Sequence, residues 1–177
     1  YPRIIFSGGM KYQPNADAVS WFLETTWSLI VKRFPNARMY IVGRDSSNLK
    51  DQLEVPRGVF CVGEVSSIFD YLNEADVAVA PMVSGSGMQF KVLEAMYAGT
   101  PVVTSELGLG SIAADVGRDL LVANTPSEFV DAIDVAINSH SIGDNGKRFV
   151  ERMHSWNSVG ERFITYIEDI VDKEIKK

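Results

Sequence analysis

The sequence predicts an α/β domain built on a doubly wound, Rossmann-like parallel sheet, and three observations lead there. Strand-like and helix-like patterns alternate along the whole chain. Early strand patterns close on glycine, at Gly8, Gly43 and Gly63. The segment "DVAVAP" (Asp76 to Pro81) lacks polar alternation, as expected of a strand covered on both faces. Right-handed crossovers then place helices on both sides of the sheet.

The elements follow in order. "RIIFSG" (Arg3 to Gly8) reads as the first strand. In "NADAVSWFLETTWSLIVKRF", Ala18, Phe22, Ile30 and Phe34 recur at helical spacing, with Asn15 the expected N-cap after Pro14 and Pro35-Asn36 the stop. "ARMYIVG" and "GVFCVG" are the next strands, followed by a short helix in "SSIFDYLNEA". Trp21 and Trp27 read as packing residues rather than stacking platforms. "MQFKVLEAMYAG" is helical, Gly99 sits where a C-cap belongs, and "PVVTS" is a strand. "DLLVA" is the last strand. Thr125-Pro126-Ser127-Glu128 has the form of a capping box opening a helix to about Asn138. Two more helices follow, near Gly143 to His154 and from Trp156 to the end.

Composition narrows the function classes. The 177 residues suit one domain, residues 1–177, with enough apolar material for a sizeable core. A net charge of −6 argues against nucleic acid as a partner. No apolar run is long enough to cross a bilayer, and the stretch around Ala75 to Ala80 suits a buried strand. Cys61 is alone, which excludes an intrachain disulfide and fits a reducing cytoplasm. His140 and His154 lack ligand spacing, so no metal is expected. The tail "DKEIKK" reads as a solvated helix end rather than a membrane patch. The opening "YPRIIFSGG" enters a strand almost at once, which reads as a piece of a longer protein.

Ligands of doubly wound sheets bind beyond the carboxyl ends of the strands. Gly8-Gly9, Gly43-Arg44, Gly63-Glu64, Pro81 to Gly87 and Ser105 to Gly110 all fall on that rim. Gly85-Ser86-Gly87 stands directly before a helix whose N-terminus, with Met88 and Gln89, would attract an anion such as phosphate; a tight turn needing glycine for sterics explains it equally. Lys91 and Glu94, at i and i+3, share a helix surface. Lys91 could carry an ammonium to a diphosphate, and Glu94, read as lying deeper, could accept two ribose hydroxyls. A surface ion pair is the plain alternative. "SGGMKYQPNADAV" lacks GxGxxG, so a dinucleotide fingerprint is absent.

"GMQFKVLEAMYAGTPVVTS" resembles the signature of group-one glycosyltransferases of the GT-B fold. "FSGGMKYQPNADAVSWF", "ARMYIVGRD", "VGEVSSIFDYLNEADVAVAPM" and "SWNSVGERF" follow that family's order, so the likeness covers nearly the whole chain. It is closest to a bacterial sugar-transferase branch with Pro-Asn after the first glycine turn. Such enzymes have two Rossmann-like domains, and this chain is similar to the C-terminal, donor-binding one. The resemblance implies a nucleotide-sugar donor and no obligatory metal or cofactor. It also implies a glycan or lipid-linked acceptor met through an absent N-terminal domain. The last helix, about 156–175, would cross toward that domain, and the full-length protein would work in the cytoplasm, peripherally at the membrane.

The resemblance assigns residues unevenly. Glu94 matches the second Glu of the family's Glu-seven residues-Glu motif, a ribose ligand; the first Glu falls at Ser86. The family's Arg and Lys that hold the diphosphate fall at Gly9 and Pro14. Lys91 is therefore the candidate catalytic cation, helped by the Gly87-Met88 amides. Gly63, Glu64 and Val65 match the loop that contacts the base, and Gly8 with Gly9 lets a ligand approach the first strand. The implied activity is sugar transfer by the full-length enzyme, with this piece alone inactive. A GT-B-fold nucleotide-sugar epimerase and a non-catalytic flavodoxin-like or degenerate transferase module are the alternatives.

Overall fold

The computed structural model describes residues 2–51, 54–139 and 141–175. His140 and the last two residues of the tail, Lys176 and Lys177, lie outside the described residues. Six parallel strands form one sheet: β1 (Arg3–Ser7), β2 (Arg38–Val42), β3 (Val59–Gly63), β4 (Val77–Ala80), β5 (Val102–Thr104) and β6 (Leu121–Val122). Their order is β3-β2-β1-β4-β5-β6, so the winding reverses between β1 and β4. In such sheets the reversal opens a crevice at the carboxyl ends.

Strand alternation sorts the core into two layers. Ile4, Phe6, Val77 and Val79 face one side, against α1 (Gln13–Trp21), α2 (Trp27–Arg33) and α6 (Pro126–Asn138). Ile5, Ala78 and Ala80 face the other, against α3 (Ile68–Glu74), α4 (Phe90–Ala98) and α7 (Ile142–His154). Phe22 and Phe129 are fully buried and meet edge to face at 5.8 Å. Each such side chain contributes about 1.5–3 kcal/mol through burial. Trp27 is buried as packing, with its indole N–H donated to the Arg57 carbonyl, and Trp21 meets Phe129 edge-on.

Several expected boundaries hold. Gly99 caps α4 in the left-handed region at φ 82°, and Thr125 and Glu128 make the full capping box of α6. β4 is buried throughout.

Others are corrected. Asn15 is not the N-cap of α1: the helix begins at Gln13 after Tyr12, with Pro14 in its first turn. Asn15 is buried instead, and its Nδ2 donates to the Gly9 carbonyl at 2.9 Å. A bond back to the β1 turn thus replaces the cap. The long helix is interrupted by a π-helical turn, Phe22–Thr26, between α1 and α2. The α4 helix starts at Phe90 rather than Met88, since Gln89 is extended and stands at the N-cap; earlier in the same loop Ser84 donates to Asp17 on α1 at 2.8 Å. The last strand shrinks to two residues. A 3-10 turn (Ser46–Asp51) and a short helix, α5 (Glu106–Leu109), were not foreseen.

The final helix, α8 (Trp156–Ile175), leaves Trp156 91% and Phe163 64% exposed. Among the described residues no helix is long and apolar enough to cross a membrane.

Candidate functional site

A crevice of about 590 Å³ opens at the carboxyl ends of β1, β2 and β3, under the first turn of α4. One wall is the β1 turn, Ser7 to Gly9, with Tyr12 beyond it. The floor is Val42, Gly43 and Arg44 after β2, and Glu64, Val65 and Ile68 after β3. The α4 wall carries Ser86, Met88, Gln89, Phe90, Lys91 and Glu94.

The floor is built by close backbone approach. A Cβ on Gly43 would stand 2.3 Å from the Gly8 carbonyl oxygen, so only glycine lets these two strand ends converge. Gly8 itself lies against Asn15, whose Nδ2 is 2.6 Å from where a Gly8 Cβ would be. Asn15 is therefore a strut beneath the turn, holding bare backbone at the crevice edge.

On β3 the register slips: Ile41 pairs with Cys61, but Val42 pairs with Gly63. The inserted residue re-aims the strand end, as bulges beside functional sites do. Buried Ser46 bridges the irregularity, donating from Oγ to the Ile41 carbonyl at 3.0 Å and accepting the Gly63 N–H at 2.8 Å.

Lys91 and Glu94 both reach the crevice, but not as a surface ion pair. Among the described residues no ion pair joins them; the Lys91 ammonium donates to Gln89 Oε1 at 2.8 Å and lies 3.7 Å from Met82 Sδ. It also stands 5.7 Å from the centroid of the Phe6 ring. Burial lowers the Lys91 pKa to about 8, with Glu94 pulling it back up. Glu94 is exposed rather than deep, which corrects the sequence expectation: it sits one turn into α4 on the open side. Partial desolvation against the crevice wall still raises its pKa, opposed by Lys91.

Most of the expected site residues converge here: Gly8, Gly9, Glu64, Val65, Ser86, Met88, Gln89, Lys91 and Glu94. Three do not line the crevice. Gly63 acts through its backbone, accepting the Gly43 N–H at 2.8 Å. Gly85 faces Pro14 and Tyr12, and a Gly87 side chain would enter open space, so both shape the loop rather than the wall. Ser105 and Gly110 share the rim but border a second, more apolar cavity of about 510 Å³ beside Trp21 and Phe129. Sequence reasoning placed Arg44 on the rim without giving it a role, and missed Tyr12, Ile68 and Phe90 as lining residues and Ser46 as the buried bridge. Arg44 alone had a signal, since it directly follows a strand-closing glycine on the same rim.

The fold is a doubly wound α/β architecture with a crevice at the carboxyl ends of its strands, and the family model for "Glycosyl transferases group 1" matches residues 1–139. The chain belongs to that family. It is 28% identical to the phosphatidyl-myo-inositol mannosyltransferase of Mycolicibacterium smegmatis, over 99% of this chain and 48% of that protein. It is 27% identical to an uncharacterized glycosyltransferase of Methanocaldococcus jannaschii, over 91% of this chain and 43% of that one. The chain thus spans about half the length or less of the curated relatives it matches.

Among solved structures, a Staphylococcus aureus TarM mutant in complex with fondaparinux, alpha-GlcNAc-glycerol and UDP superposes with a TM-score of 0.73 at 18% identity, over 93% of this chain and 35% of that one. A glycosyltransferase from Rickettsia africae gives 0.74 at 13% identity, over 96% and 48%. These likenesses establish the shared fold.

Proposed function

We propose that this chain is the donor-binding half of a glycosyltransferase that moves a sugar from a nucleoside diphosphate sugar to a glycan or lipid-linked acceptor. The observation that carries the reading is the crevice at the β1/β4 reversal, where bare glycine backbone, a helix N-terminus, Lys91 and Glu94 face one space. First-turn amides of a helix lack intrahelical acceptors and attract anions.

In this reading the diphosphate lies between the Gly8-Gly9 turn and the first turn of α4. The ribose hydroxyls donate to the Glu94 carboxylate, which positions the nucleoside. The base rests on the Gly63 to Val65 loop. Lys91 offsets the negative charge that grows on the departing diphosphate as the glycosidic bond breaks. Its contact with Gln89 holds the ammonium at that wall before ligand arrives. The charge is assigned to these groups rather than to a metal ion.

The acceptor is met by another domain, toward which α8 crosses with its exposed aromatic and aliphatic residues. The full-length protein then acts in the cytoplasm, peripherally at a membrane where its acceptor is lipid-linked. The chain by itself binds donor without turnover.

A thermal-shift screen of nucleoside diphosphates and their sugars tests this. Stabilisation by UDP or GDP, unchanged by EDTA, is expected. A folded chain that none of them stabilises would refute the reading, and turnover by this chain alone would refute the division of labour.

A further inference from the structure

We infer that Arg44 is a second diphosphate-binding cation, parked on Glu64 until the ligand arrives. The inference rests on the donor-binding reading above and adds to it a residue on the floor of the crevice, at the β2 end, where Lys91 comes from the α4 wall.

Arg44 and Lys91 are the cations among the described residues lining the crevice; they rise from the β2 end and from α4. The charge on those walls is balanced by Glu64 and Glu94, so a dianionic ligand needs a cation that can be released toward it. Arg44 is rooted where the ligand would lie. Its carbonyl accepts the Met10 N–H at 2.9 Å, and its Cβ is 3.9 Å from where a Gly9 Cβ would stand. The side chain therefore begins beside the bare β1 turn.

The turn that presents it is built rather than incidental. Ser46 N–H closes on the Gly43 carbonyl at 3.1 Å, which puts Arg44 at the corner of a four-residue turn. Asp45 follows at φ 64°, the positive value that the third position of a type II turn requires. A non-glycine residue there carries strain of order 1 kcal/mol, the kind of local cost found at functional sites. Buried Ser46 then locks this turn to the β3 end from which Glu64 projects.

The parking contact is weak. One guanidinium nitrogen of Arg44 donates to Glu64 Oε1 at 3.0 Å, and the two side chains are 72% and 64% exposed. Exposed pairs of this kind are readily displaced. A guanidinium matches phosphate oxygens in a two-point fork, which a diphosphate offers and a single-point contact to Glu64 does not use.

Titration calorimetry of the whole chain with UDP, GDP and the matching nucleosides tests the inference, with circular dichroism to verify folding of each variant. Wild type is read first: binding of neither diphosphate by the folded chain overturns the donor-site reading, and this inference with it. Given wild-type binding, Arg44→Gln is expected to weaken the diphosphate about tenfold and leave the nucleoside unchanged. Glu64→Gln, which frees the guanidinium, is expected to tighten diphosphate binding a few-fold. Unchanged diphosphate affinity in Arg44→Gln overturns the inference, as does an equal loss for the nucleoside. Weaker diphosphate binding in Glu64→Gln overturns it too, since the pair would then be a structural strut.

Discussion

In the proposed reading Lys91 is the diphosphate-binding cation of the α4 wall, and its environment sets a pH limit on that role. Burial brings its pKa down to about 8, so the ammonium is present below that value and is lost as pH rises through it. Diphosphate affinity should therefore fall above about pH 8 while nucleoside affinity stays level, a contrast that calorimetry across pH reads directly. Lys91→Ala should remove that pH dependence and cost the diphosphate more than the nucleoside. Glu94→Ala should weaken nucleotide binding by more than about 1 kcal/mol, the lower end for losing charge-assisted hydrogen bonds. Unchanged affinity with an intact fold would take Glu94 out of the site. That these two residues face one crevice from the same helix was legible from i,i+3 spacing next to a glycine loop. Their actual partners were not, because Gln89 and Met82 reach Lys91 only through the three-dimensional path of the loop.

Elements position those residues by contacts between strand ends and helix faces, and glycines report where clearance is least. A Cβ on Gly143 in α7 would stand 2.0 Å from the Gly99 carbonyl oxygen, at the end of α4. Gly143→Ala should destabilise the fold by about 2–4 kcal/mol through overpacking, measured by chemical denaturation. Thr125→Ala should cost about 1 kcal/mol by removing the α6 cap. Caps of this kind are local in sequence and were readable. The true start of α1 was not: Asn15 looks like a cap by residue type, yet a bond to Gly9 across the turn claims its side chain. For the same reason Ser46 gave no sequence signal. It sits among ordinary loop residues, and its importance comes from a register slip between β2 and β3.

At the scale of the whole molecule, strand order turns separate glycine turns into one site. The alternation of elements predicted the parallel sheet, and its reversal point gathered the β1, β2 and β3 turns with α4 around a single crevice. What alternation does not resolve is which rim segments share a cavity. Ser105 to Gly110 lie on the same edge but belong to the apolar hollow beside Trp21, because β5 lies on the far side of β4 from β1. The α8 helix contributes little to either core layer. Truncation after Ser155 should leave nucleotide affinity nearly unchanged. The most direct test of the central claim is a crystal structure of this chain soaked with UDP or GDP. The account predicts a diphosphate between the Gly8-Gly9 turn and the first turn of α4, with ribose hydroxyls on Glu94. A nucleotide bound instead in the hollow between Trp21 and Leu107, or pointing its diphosphate away from Lys91, would contradict it.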